Sequence, residues 1–236
     1  MKPEVRRRLD EEFAGHFGCR PMDLCAGRII PIAGGRAPLT VAVTAAGGIA
    51  NSSTLSLERL ARAVEGVQRT DLLGEDCIRR LIGLLPRRDP AWRVGEADVL
   101  FYCTPETFRA DAGTGTEPIR PGDALWQEDA ETEREFAEKG KRWHVDATFA
   151  VYVGTVRAST ARLIDQGRPP FRAVGVATAP PFRGRGYAKA CVSAATAWAL
   201  EHDLVPLYNT QTSNVASIAV ARAAGYVEYL HSLSVC

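Results

Sequence analysis

The segment that most constrains this chain is Ala177-Thr178-Ala179-Pro180-Pro181-Phe182-Arg183-Gly184-Arg185-Gly186-Tyr187-Ala188. An apolar run enters a Pro-Pro turn, passes through a glycine-rich basic loop and opens directly onto an alanine-rich helix. Ala188, Cys191, Val192, Ala195, Trp198 and Ala199 recur at helical spacing, and most are small, so this helix can lie close against a sheet. The same turn builds an anion site. Gly184 and Gly186 permit positive φ and leave no Cβ above the backbone. The N–H groups of the loop and of the first helical turn converge on the space above them. The helix dipole adds about half a positive charge there, and Arg183 and Arg185 add full ones. A surface turn with incidental arginines is the competing reading. The loop matches neither GxxxxGK[ST] nor GxGxxG, so ATP and NAD lose their usual signals.

Around this turn the pattern alternates. Strands are expected at Phe171–Thr178, 205–211 and 226–234, and helices at 187–202 and 213–224. Upstream, Thr148–Val153 and Thr155–Ser159 read as a hairpin about Gly154, preceded by a charged helix from Ala124 to about Lys139. Strands alternating with helices predict an α/β fold, a mixed sheet covered by helices. The connector Asp111–Glu117, rich in Gly and Thr, divides the chain into residues 1–115 and 116–236. In the first part, helices are expected at 3–17, 54–68 and 70–84, and strands at Thr40–Val43 and Val99–Cys103. Gly34, Gly35, Gly47 and Gly48 read as loop, and Thr104–Thr107 as a cap with Pro105 at the first helical position.

Composition excludes several classes of partner. The 236 residues carry a formal net charge of +1, which suggests neither a nucleic-acid nor a membrane surface. The apolar runs are short for a bilayer, and Met1–Glu12 reads as a charged helix rather than a signal peptide. The six cysteines form no CxxC pair, and the four histidines show no ligand spacing with them, so no metal site is expected. Reduced thiols in a cytoplasm are the expectation, Cys191 is a buried inert thiol, and the sequon Asn51-Ser52-Ser53 is inert.

Arg183-Gly184-Arg185-Gly186-Tyr187-Ala188 resembles the Arg/Gln-x-x-Gly-x-Gly/Ala signature of the GNAT superfamily of N-acetyltransferases. Leu207–Gln211 resembles that family's fifth strand, and Asn214, Ser217 and Ala223-Ala224-Gly225-Tyr226 its Asn-x-x-Ser…Gly-Phe/Tyr segment. Ile119-Arg120-Pro121 with Asp123 resembles the opening strand, and Phe149–Ser159 the central hairpin. The resemblance covers about residues 117–236 and is most specific from 171 to 226. It implies a GNAT-like fold, a central, mostly antiparallel twisted sheet flanked by helices, here with a mixed N-terminal extension.

The resemblance further implies acetyl-CoA as cofactor. The backbone from Arg183 through Gly184, Arg185, Gly186 and Tyr187 to Ala188 would hold its pyrophosphate. Val176 and Thr178 would pair with the pantetheine arm like an added strand, and the Val176 N–H would serve as oxyanion donor to the thioester. Asn214 and Ser217 would add cofactor contacts, and an N-cap role for Asn214 is compatible with this. The acceptor implied is a small-molecule or peptide amine. Two departures stand out. The Phe171–Thr178 strand carries no acid, which leaves Glu128, Asp129, Asp146 and Glu228 as candidate bases. The family's thiolate-protonating tyrosine is replaced by Ala221, which leaves Tyr226 and Tyr208 as substitutes. A non-catalytic acyl-CoA-binding module and an O-acyltransferase are the alternatives. For residues 1–115 three roles stay open: covering the acceptor side, forming a homodimer surface, or a degenerate copy of the same fold.

Overall fold

The structure, a computed structural model, describes residues 3–86, 92–111, 117–118 and 124–235, with backbone alone for Pro3, Glu117, Pro118 and residues 124–129. The fold is mixed α/β. The first elements are α1 (Pro3–Phe17), β1 (Ile29–Ala33), β2 (Leu39–Thr44), β3 (Gly48–Ser52), α2 (Leu57–Val64), α3 (Glu75–Gly83) and β4 (Asp98–Tyr102). There follow β5 (Glu117–Pro118), α4 (Ala124–Glu138), β6 (His144–Val153), β7 (Val156–Asp165), β8 (Phe171–Thr178), α5 (Tyr187–Glu201), β9 (Val205–Gln211), α6 (Val215–Ala223) and β10 (Val227–Val235). Two compact units result: Met1–Val99 with Gln211–Ser213 and Tyr229–Cys236, and Leu100–Thr210 with Asn214–Glu228. The expected boundary at 115/116 lies outside the described residues.

In the first unit β1 pairs parallel with β3, β3 antiparallel with β2, and β2 antiparallel with β10 from Leu230 to Val235. Leu39, Val41, Ala50, Leu60, Leu81 and Val235 are buried in one apolar cluster among these strands, α2 and α3. Helix α1 is stapled along its solvent side by Arg8–Glu4 and Arg7–Glu11 pairs at i,i+4 spacing. Its other side buries Leu9, Phe13, Ala14 and Phe17. Asp10, 6% exposed, accepts hydrogen bonds from Arg6 Nε (2.9 Å) and Tyr229 OH (2.8 Å). Replacing Asp10 by alanine deprives the half-buried Arg6 and the buried Tyr229 of this acceptor, so a loss of about 3 kcal/mol is expected in a urea titration; a loss below about 1 kcal/mol would show that this network does not hold α1.

Strands β1 and β3 depart from the sequence expectation. Gly48, read as loop, begins a strand whose five residues are all buried. A Cβ there would come within 2.9 Å of Leu72 Cδ2, so a larger residue would make the Leu72 side chain shift. Pro31 sits inside β1, which among the described residues pairs with β3 alone, an edge position that tolerates a missing N–H. Asn51 lies on β3 at 3% exposure, with its amide hydrogen-bonded to the Phe17 carbonyl, so the sequon is out of reach of any modifying enzyme. The helices expected at 54–68 and 70–84 are the shorter α2, capped by Ser56, and α3, entered from Gly74.

In the second unit β5, β6, β7 and β8 form an antiparallel run, followed by β9 parallel to β8. The hairpin turns at Gly154 as expected, with strands longer than the pattern indicated. Helix α5 buries Cys191, Val192, Ala195, Thr196 and Ala199 and packs on β6, β7 and β8. The expected strand at Ile119–Asp123 falls outside the described residues, and Glu117–Pro118 pairs with Ala150 and Phe149. Thr104–Thr107 is a correction: it is a turn, and the described residues after it, 108–111, are not helical. The Phe108 N–H reaches the Thr104 carbonyl, but the Arg109 N–H is captured by the Ala224 carbonyl and the Asp111 N–H by Ser193 Oγ. Tertiary partners thus take the donors that a helix would have used.

Candidate functional site

Strands β8 and β9 pair only over Phe171–Ala173 and Val205–Leu207, then part company. Beyond this fork β8 keeps its partner on one side alone. The register sets Ala177 opposite Thr160, and the Ala179 N–H donates to the Ala158 carbonyl. Alternation therefore turns the main-chain groups of Gly175 and Ala177 toward β7, and those of Val176 and Thr178 toward the fork. An open strand edge inside a protein is a template for an extended, amide-rich ligand.

The loop after β8 closes one end of the fork. Pro180–Phe182 form a short 3-10 turn, and Gly184 (φ +75°) and Gly186 (φ +84°) are both left-handed. A Cβ at either would meet nothing within 4 Å, so the space above the loop is open. Gly186 is the N-cap of α5, which aims the helix's free N–H groups into that space. Arg183 Nε donates to the Thr178 carbonyl (3.2 Å), which ties the loop back to the end of β8. The Arg185 guanidinium lies 5.9 Å from the Phe182 ring centroid.

A cleft of about 660 Å³ joins these parts. Its lining runs without a break from Arg183 to Lys189 and includes Val176, Thr178, Asn214, Ser217 and Tyr208. Every residue expected to touch the cofactor is thus in one cleft. Phe182, Lys189, Ala216 and Val220 line it too and were not foreseen. Helical spacing offered a signal for Val220, three residues beyond Ser217 on the same face. Among the described lining residues the full charges are Arg183, Arg185 and Lys189, all positive, although Lys189 also faces Asp111 at 3.7 Å.

On the α6 side, Asn214 caps the helix by accepting from the Ser217 N–H (3.1 Å) while it borders the cleft. Tyr208, the first β9 residue past the fork, sits 2% exposed with its hydroxyl 2.8 Å from Ser217 Oγ. Burial pushes its phenol above the ordinary range, partly offset by Ser217. Tyr226 is different. It does not line the cleft, and its hydroxyl is 2.7 Å from Thr196 Oγ1 in the interior. Burial raises its phenol strongly. Ala221 is wholly buried.

Of the candidate bases, Asp146 and Glu228 do not line the cleft. Asp146 is paired with Arg172 and lies 3.0 Å from His144 Nε2, while Arg172 also holds Asp165 at 2.9 Å. His144, Asp146 and Asp165 bring their ligand atoms within 4.8 Å of one another, but the Arg172 guanidinium already supplies the positive charge between the carboxylates. Glu228 pairs with Arg222 at 2.6 Å. The side chains of Glu128 and Asp129 lie outside the described residues. Cys191 is fully buried, and desolvation pushes its thiol up to about 11, so it is no nucleophile at neutral pH. No helix among the described residues is long and apolar enough to cross a membrane.

A family model described as "Acetyltransferase (GNAT) family" matches residues 112–226. No curated protein matches the chain. Solved structures similar to it include a GCN5-related N-acetyltransferase-like protein from Streptococcus suis (15% identity, 80% of this chain and 79% of that one, TM-score 0.45). An acetyltransferase of the GNAT family from Colwellia psychrerythraea shares 14% identity over 61% of this chain and 56% of that one (TM-score 0.47). A GCN5-related N-acetyltransferase from Sphaerobacter thermophilus shares 14% identity over 70% and 57% (TM-score 0.47). The chain spans less than two thirds of the length of these last two proteins.

Proposed function

Given that residues 112–226 belong to the acetyltransferase (GNAT) family, we propose that this chain moves an acetyl group from acetyl-CoA to an amine acceptor, small molecule or peptide, by direct attack on the thioester. The observation that carries the proposal is the meeting, in one cleft, of an open β8 edge and a left-handed glycine loop at the N-terminus of α5. These features fit the cofactor's two polar portions. The main-chain N–H groups from Arg183 to Ala188, with the Arg183 and Arg185 charges, hold the diphosphate. The Val176 and Thr178 main-chain groups bind the amides of the pantetheine arm. The cofactor, when bound, supplies an acyl group activated as a thioester.

Val176 acts at the reacting end. Its N–H hydrogen-bonds the thioester oxygen as negative charge gathers there, a contribution of about 3 kcal/mol in comparable acyl transfers. No carboxylate or histidine is among the described lining residues, so none of these offers a base beside Val176 for the acceptor's proton. The acceptor therefore enters as the free amine and its own pKa governs the rate. The expected result is a kcat/KM that rises with pH through the acceptor's pKa, and that shifts with the acceptor used. The free thiols Cys19, Cys25, Cys77, Cys103 and Cys191 support a reducing compartment such as the cytoplasm.

The test is calorimetry with coenzyme A followed by thiol release from acetyl-CoA across a panel of amines and alcohols. Binding with turnover on an amine supports the proposal, and turnover on alcohols alone redirects it to O-acyl transfer. Tight binding without turnover on any acceptor favours a non-catalytic coenzyme A module, the reading that Ala221 and the acid-free β8 support. No binding overturns it.

A further inference from the structure

At the start of β8, away from the cleft, four polar side chains meet across three strands. His144 opens β6 and pairs in register with Asp165 at the end of β7. Asp146 is the residue that this ladder skips, since Val145 pairs with Ile164 and Ala147 with Leu163. A bulge re-aims the side chain of its extra residue, and here Asp146 Oδ1 comes to lie 3.0 Å from His144 Nε2. Arg172 enters from β8, next to Ala173, the partner of Ile164. No linear spacing announces this group, because strand register and a bulge bring it together.

Arg172 takes one side of the group and leaves the other open. Its Nε reaches Asp146 Oδ2, its Nη2 reaches Asp165 Oδ2 at 2.9 Å, and its Nη1 reaches the Phe171 carbonyl at 2.9 Å. The Gly167 N–H holds Asp165 Oδ1 at 2.6 Å. Asp146 Oδ1 is thus left toward the imidazole, and Asp165 Oδ2 stands 3.7 Å from His144 Nε2. One ligand atom from each of the three residues lies within 4.8 Å of the others. A tetrahedral zinc ion sets its nitrogen and oxygen ligands about 3.3 Å apart, so small side-chain rotations are enough to seat one. The charge fits as well. Arg172 offsets one of the two carboxylates, and the other remains to meet a cation beside a neutral imidazole. The carboxylates are mostly buried while His144 is exposed, which gives an ion its entry path.

We propose that His144, Asp146 and Asp165 bind a divalent first-row cation such as Zn²⁺, with Arg172 orienting both carboxylates from behind. A ring nitrogen with two carboxylate oxygens suits such a cation better than calcium or magnesium, which prefer oxygen alone. Outer hydrogen bonds of the Arg172 and Gly167 kind commonly hold the ligands of a metal site. Arg172 precedes Val176 by four residues, about 13 Å along a strand. The ion therefore sits apart from the acetyl-transfer cleft, and its effect is to fasten the adjoining ends of β6, β7 and β8. The inference does not depend on the acetyl-transfer reading.

Calorimetry with Zn²⁺ on the chelator-washed full chain tests this. One ion is expected to bind per chain, and a hundredfold excess over its Kd should raise the thermal midpoint by about 5 °C. His144→Ala removes an exposed side chain and should weaken binding about tenfold or more. His202→Ala removes another exposed histidine, at the end of α5, and should bind as the wild type does. Asp146→Asn keeps an oxygen toward Arg172 but loses the ligand charge; it should weaken binding by a similar factor, and it decides the matter if the urea midpoint of metal-free His144→Ala shows that protein unfolded. Co²⁺ separates this group from the free cysteines, because a nitrogen–oxygen site gives no thiolate-to-cobalt charge-transfer band. Absence of binding to the wild type overturns the site. So does an unchanged affinity in folded His144→Ala, or a thiolate band from the bound Co²⁺.

Discussion

Replacing Gly186 by valine is expected to weaken coenzyme A binding about a hundredfold, roughly 2.7 kcal/mol, while the protein stays folded. Gly186 has φ +84° at the N-cap of α5, a conformation that costs an L-residue about 1–2 kcal/mol and a β-branched one more. The protein itself leaves room, since a Cβ there meets nothing within 4 Å. The added methyls would instead fill the space above the loop that the diphosphate needs. Gly154→Val is the matched control. Gly154 is also left-handed (φ +61°) and also open, but it lies at the β6–β7 turn and not in the cleft. Both variants should lose similar amounts in thermal unfolding, and only Gly186→Val should lose affinity by calorimetry. Equal affinities would move the diphosphate off this loop.

Gly225→Ala should do more damage, and of another kind. The residue has φ +90°, and its Cβ would stand 2.0 Å from the Thr107 carbonyl oxygen and 2.9 Å from the Arg109 nitrogen. Both obstacles are backbone, held by the Arg109 N–H to Ala224 carbonyl bond of 3.1 Å. Relief requires pulling the 104–111 strip off the end of α6 and breaking the Asp111–Ser193 hydrogen bond as well. The expected loss is about 4 kcal/mol or more, a large part of the stability of an ordinary domain. Soluble yield and the urea midpoint report it, and a midpoint close to wild type would mean that the strip is not closely packed there.

What the sequence disclosed and what it hid follow from range. β8 and β9 were read to the residue, at Phe171–Thr178 and Val205–Gln211, because apolar runs bounded by prolines, glycines and caps are local signals. The glycine loop was legible for the same reason: its chemistry is written in consecutive residues. β3 was hidden because Gly48-Ile49-Ala50-Asn51-Ser52 has little intrinsic strand preference; close neighbours such as Leu72 select small residues there. β1 was hidden by Pro31. Thr104–Thr107 misled because a good cap predicts a helix only when the following donors lack other partners, and Ala224 and Ser193 lie more than eighty positions downstream. The choice between Tyr208 and Tyr226 needed coordinates as well. Both are tyrosines near the signature, and only their partners, Ser217 on the cleft and Thr196 in the interior, tell them apart.

The ladder that joins Leu230–Val235 to Leu39–Thr44 links positions such as Thr40 and Ser234, 194 residues apart. On the ribosome, therefore, the opening stretch emerges long before the segment that completes its sheet, and the edge of β2 that pairs with β10 must wait unpaired. A nascent chain halted short of Leu230 would display that open strand edge to the cell, and a premature stop near the end would wound the part of the protein that was made first.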